Sequence, residues 1–180
     1  MENKRHIYIL LTKHSDNFSQ FIVALIQGHY SHASIAFEEE GHYYSFTRRG
    51  FHIEDPEKIC RKRHNVQCAL YRIPVSCQAY DSMKSHLDSH YMDVADWKYN
   101  IVGVFLGMVR FSFLKRKRKR FCSQFVAEIL EAGKEVRLQK KSSVVFPDDF
   151  AKAGLVEPEF LGTLEGLVKR YRRTKRPQAA

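Results

Sequence analysis

The chain has 180 residues, 44% of them hydrophobic and 13% aromatic. That is enough apolar surface for one domain with a sizeable core, and it excludes a disordered chain. The net charge of +10 at pH 7 suits anionic partners (nucleic acid, an acidic membrane surface or an acidic polymer), and equally a basic protein whose charge serves no partner. The four cysteines, Cys60, Cys68, Cys77 and Cys122, are too sparse for a disulfide scaffold. No Cys-x-x-Cys pair occurs, which argues against a zinc knuckle or a thioredoxin-type motif.

In chain order, residues 6–12 (HIYILLT) are a continuous apolar run of strand length. The apolar stretch Ile7 to Leu11 is short for a signal peptide, so a cytoplasmic protein with free thiols is expected. Ser15 and Asp16 offer an N-cap for an apolar-periodic helix, FSQFIVALIQ, ended by Gly28. Residues 31–37 (SHASIAF) and 42–47 (HYYSFT) read as the two strands of a hairpin. Residues 48–64 are polar and mixed, and Pro56 opens a short helical turn. Residues 66–73 (VQCALYRI) read as another core strand, closed by Pro74, and 77–92 as a helix.

Residues 99–114 are mostly apolar, with charge only at Arg110. The run Lys115, Arg116, Lys117, Arg118, Lys119 and Arg120 follows, and then FCSQFVAEILEAG, an apolar helix with Gly133 as its stop. The C-terminal part holds a proline-capped turn (FPDDFAKAGL), a strand at 155–160, and a basic helix or tail (LVKRYRRTKRPQAA). The division is a domain over 1–162 and a basic extension over 163–180. Strands joined by hairpins and followed by helices predict an α+β fold with an antiparallel sheet rather than a doubly wound parallel one.

Cys122 falls in the first turn of its predicted helix. The helix dipole and unpaired N–H groups there favour thiolate, and six cations lie immediately upstream. Thiolate is the nucleophilic form. A small buried core residue is the ordinary alternative for a cysteine on an apolar helix. His32 opens a predicted strand between the small residues Ser31 and Ala33, which leave room for a helix end to pack close. An imidazole so placed can take a thiol proton and return it to a leaving group.

The segments SHASIAF…YYSF and RFCSQFVAEIL resemble the circularly permuted branch of the NlpC-type papain-like superfamily, which includes YiiX-like and lecithin:retinol acyltransferase-like proteins. YYSFTRRGF and FCSQFVAEIL look like a bacterial group within that branch. The resemblance spans about residues 5–160. In that branch a histidine at the start of a strand comes first, a polar residue on the next strand second, and a cysteine at the start of a helix last. The order here is His32, the 42–47 strand, Cys122. The resemblance implies a papain-like fold in which the cysteine's helix packs on the sheet. It also implies a thiol hydrolase acting on amide or ester bonds in peptides, cell-wall fragments or acyl lipids, without cofactor or metal. Two rivals go with it: an inactive module that binds an anionic or lipid ligand, and an acyltransferase using the same dyad.

In the family the third, orienting residue lies on the strand after the histidine. If residues 37 and 42 pair across the turn, then 32, 34, 43, 45 and 47 share a face. Ser45 then lies diagonally near His32 and is the expected third catalytic residue. A register change of one residue would present His42 and Tyr44 instead. A neutral hydroxyl cannot stabilise imidazolium by charge, so Ser45 is a weaker orienter than a carboxylate.

His86 and His90 have helical i, i+4 spacing, but Leu87 stands where a metalloprotease needs Glu, so a solvated face is expected and no metal. The 101–114 segment is too short to span a bilayer and is read as a core helix, with an interfacial helix as alternative. In that alternative, residues 115–120 meet an anionic membrane surface from the cytoplasmic side. No nucleic-acid motif is present, so DNA or RNA is a minor expectation.

Overall fold

The computed structural model describes residues 4–14, 20, 23–24, 27–39, 42–47, 50–92, 98–99, 119–153 and 158–175. Among these residues eight strands are seen: β1 (Lys4–Lys13), β2 (His32–Ala36), β3 (Tyr43–Thr47), β4 (Gly50–Glu54), β5 (Gln67–Ser76), β6 (Lys98–Tyr99), β7 (Lys119–Arg120) and β8 (Phe160–Thr163). Five α-helices have both ends among the described residues: α1 (Pro56–Lys62), α2 (Cys77–Leu87), α3 (Cys122–Gly133), α4 (Pro147–Lys152) and α5 (Leu164–Lys175). A π-helical turn, Asp88–Met92, prolongs α2. The fold is α+β, with a six-stranded antiparallel sheet in the order β4-β3-β2-β1-β5-β8. β6 and β7 form a separate short parallel pair.

The unbroken apolar run of β1 is explained by burial on both faces. Ile7, Ile9 and Leu11 face one core with Phe125, Val126 and Ile129 of α3. Tyr8 and Leu10 face a second core with Leu164, Leu167 and Tyr171 of α5. Each such aliphatic side chain contributes about 1.5–3 kcal/mol on burial. In the basic C-terminal segment, α5 packs Leu164, Leu167 and Tyr171 against the second face of the sheet.

Local chemistry fixes the helix starts. Asp55 caps α1, accepting from the backbone N–H of Glu57 at 2.8 Å, with Pro56 at the first helical position. Ser76 caps α2, accepting from Ala79 N–H at 3.2 Å. The hairpin from β3 to β4 closes at the Thr47↔Gly50 pair, where Gly50 has φ 102°, a conformation that suits glycine.

Several boundaries differ from the sequence reading. β5 runs through Pro74, which pairs with His6 of β1, and ends only at Ser76. Among the described residues β8 covers β5 at 67–70 alone, and at Pro74 none of them pairs on that side, so its missing N–H leaves no ladder bond unmade there. Gly133 is the last residue of α3, not the left-handed stop; Lys134 takes that conformation at φ 58°. A Cβ at Gly133 would collide with Met83 of α2, so this glycine serves the close approach of the two helices. The strand expected at 155–160 is β8, at Phe160–Thr163. β4 lies in a stretch read as irregular. The helix expected over 18–27 lies mostly outside the described residues, as does all of 100–118.

Candidate active site

Cys122 opens α3. The preceding Phe121 is its N-cap, in extended backbone (φ −113°, ψ 164°). The first turn of this helix, Cys122 to Phe125, is buried. The N–H of Cys122 belongs to the group that has no acceptor within the helix. The helix end thus presents a thiol, an N–H and a positive dipole terminus at one place.

His32 opens β2, with its backbone paired to Thr12 of β1. Its Nε2 lies 2.9 Å from Glu54 Oε1 and 3.1 Å from Oε2. Both side chains are almost enclosed, at 12% and 10% exposure. A carboxylate only accepts, so Nε2–H donates. The Cys122 thiol lies close enough to the His32 ring to act on its charge, and with Nε2 held by Glu54 the ring nitrogen left to face it is Nδ1. The order is therefore thiol, imidazole, carboxylate.

The electrostatics follow from this contact. Burial pulls the His32 imidazole down, but the charges and hydrogen bonds of Glu54 and Cys122 outweigh it, and the ring sits well above its ordinary pKa. Burial pushes the Glu54 carboxyl up, but His32, by charge and hydrogen bond, and the nearby His14 and His52 outweigh it and hold it below its usual range. Both shifts favour the ionised pair. Burial pushes the Cys60 thiol up to about 11 and the Cys68 thiol up to about 12. All four cysteines are free thiols.

Of the residues singled out in the sequence, Cys122 and His32 are brought together and Ser45 is not. β2 and β3 do pair in the expected register, with Ile35 opposite Tyr44. Yet the Ser45 hydroxyl donates to the backbone carbonyl of Ala33 at 2.6 Å and is fully buried. It ties two strands, and Glu54 takes the place beside His32. Tyr44 stacks on Phe51, ring centroids 6.3 Å apart, and His42 is exposed. Glu54 was missed with its strand. Its signal was the alternation Phe51-His52-Ile53-Glu54, a period of two. A second missed neighbour is His14, its ring 5.6 Å from that of His32 and its Nε2 3.1 Å from Thr12 Oγ1.

The other candidates sit elsewhere. The His86 and His90 rings stack at 4.2 Å on the outer side of the α2 turn, beside a shallow depression that includes Asp81, Ser85 and Ser89 and none of the three site residues. Among the described residues no cluster of three or more His, Cys, Asp or Glu side chains is arranged for a metal ion. Among them, too, no helix is long and apolar enough to cross a membrane. Lys115 to Arg118 lie outside the described residues, and Lys119 and Arg120 form β7 directly before the site. No family model matches this chain, and a search of curated proteins finds no match.

Proposed function

We propose that the protein is a thiol hydrolase of the permuted papain-like type, working through a covalent acyl-enzyme on Cys122. The observation that carries this reading is the His32 ring bonded to the Glu54 carboxylate, with a thiol at a helix start near enough to act on the same ring. The proton of Cys122 passes to His32, and Glu54 stabilises the imidazolium and fixes the ring. The thiolate sulfur attacks a carbonyl carbon, and the carbonyl π pair moves to oxygen, beside the Cys122 N–H. Collapse expels an amine or alcohol that takes its proton from His32, leaving a thioester. Water, deprotonated by His32, then attacks the thioester and releases a carboxylic acid and the free thiol. Substrates are amides or esters. A charged orienting group favours an active enzyme over an inactive binding module, because a carboxylate is what a transient imidazolium needs.

Competition among the four thiols for a dilute haloacetamide at neutral pH, read by peptide mass spectrometry, tests this. Cys122 labels far ahead of Cys60, Cys68 and Cys77, and His32→Ala slows its labelling by about 10²-fold or more, the range for loss of a general base. With an activated ester, mass spectrometry finds the acyl group on Cys122. Equal labelling of Cys122 and Cys77 in the native protein ends the proposal.

A further inference from the structure

Asp148, in the first turn of α4, is an acid with no part in the chemistry above, and its side chain is only 7% exposed. A carboxylate is enclosed at this cost only when it is well bonded. Here Oδ1 accepts the backbone N–H of His29 at 2.7 Å and Oδ2 that of Tyr30 at 3.2 Å; the exposed His29 ring adds an Nδ1 contact at 3.4 Å. These partners lie 118 and 119 positions away in the chain and lead directly into His32. Just beyond them, Ser31 N–H donates to the Thr12 carbonyl at 3.0 Å. The approach to His32 is thus pinned from α4 on one side and from β1 on the other.

The residues preceding Asp148 hold the other half of the site. The Val145 carbonyl accepts the Ser123 hydroxyl at 2.6 Å, and Ser123 is buried next to Cys122. The Phe146 ring stacks on that of Phe121, on the other side of Cys122, at 6.5 Å between centroids. Pro147 stiffens the turn, and Asp149 braces it by accepting Phe146 N–H at 2.9 Å.

Val145, Phe146 and Asp148 therefore grip both neighbours of Cys122 and both residues that lead into the turn before His32. We propose that Val145–Asp148 is a positioning clamp that sets the separation of the Cys122 sulfur and the His32 ring, with Asp148 as its principal residue. The clamp rests on the dyad reading above. Asp148 touches neither reacting atom, and the titratable groups facing the His32 ring are Glu54, Cys122 and His14. Its influence on that ring is through placement. A displacement of about 1 Å in such a pair can cost on the order of 10²-fold in rate.

The test is the titration of the His32 ring by NMR, together with the pH profile of Cys122 alkylation, in the native protein and in Asp148→Ala, Asp148→Asn and Ser123→Ala. In Asp148→Ala the His32 midpoint falls by about one pH unit, as befits loss of part of a hydrogen-bonded contact. Alkylation at neutral pH slows by about 10- to 100-fold. Asp148→Asn keeps one acceptor oxygen and falls between. Ser123→Ala, which loosens the other jaw, moves both readouts the same way. Circular dichroism establishes that each variant is folded, and the Asn and Ser123 variants carry the test should the Ala variant unfold. Folded variants with a native His32 midpoint and native alkylation profile overturn the clamp and leave the dyad standing. An ordinary His32 midpoint and a slow Cys122 in the native protein overturn both.

Discussion

The two faces of the sheet treat a buried cysteine in opposite ways. On the α5 side, Cys68 is enclosed with Val66, Leu70 and Leu167, and burial pushes its thiol up to about 12. On the α3 side, Cys122 is nearly as enclosed, at 5% exposure against 2%, but it meets an imidazole, a helix start and, behind the imidazole, a carboxylate. Enclosure by itself silences a thiol. A proton acceptor held in place beside it makes the same side chain a candidate nucleophile.

The hardest blow to this comparison is Glu54→Gln. The variant keeps the shape but removes the charge behind His32, so Cys122 alkylation at neutral pH falls by about 10- to 100-fold, within the range of acid–base catalysis. Its stability also reports the pair. Glu54, held below its usual value of 4.5, contributes stability that is present above 4.5 and lost as pH falls through its folded value. His32, raised above 6.5, contributes stability that is present below 6.5 and lost as pH rises through its folded value. The deficit of the variant in urea unfolding is therefore largest between about pH 4.5 and 6.5 and shrinks on either side. A deficit that does not change with pH would mean the pair is not ionised.

Cys68→Ala sharpens the contrast from the other face. It leaves a small cavity against Leu70 and Leu167 and lowers unfolding stability by about 1–2 kcal/mol. Cys122 labelling stays at the native rate. The smallest effect is expected of Tyr171→Phe. The Tyr171 and Tyr43 hydroxyls lie 2.8 Å apart, and Tyr43 also donates to the Glu39 carbonyl at 3.2 Å. Removing the Tyr171 hydroxyl leaves Tyr43 satisfied and costs about 1 kcal/mol, measured by thermal unfolding, with no change at Cys122. A loss of Cys122 reactivity in either variant would show that the two faces are coupled.

Much of the architecture was legible locally. The apolar run of β1, the hairpin of β2 and β3 and the buried helix α3 follow from periodicity and turn chemistry. So do the two residues at the starts of β2 and α3, because small neighbours and a helix terminus are local facts. Glu54 was not legible as the partner of His32. It sits on β4, in a five-residue strand carrying two exposed positions, His52 and Ile53, within a polar stretch. The register that points to Ser45 is the one observed, yet register does not say whether a hydroxyl turns to a ring or to a carbonyl. Here the Ala33 carbonyl claimed it. Gly133 and Pro74 were read by their usual local habits, and in each case a neighbouring element set the role instead.

By itself the sequence determined that this chain builds an α+β fold and which histidine and cysteine stand at element starts, since periodicity and capping act over a few residues. Only the tertiary structure decided that Glu54 stands behind His32 and that Asp148 holds the turn before it. Both contacts join residues far apart in the chain, and what selects them is the need of an enclosed carboxylate for partners, wherever in the sequence those partners lie.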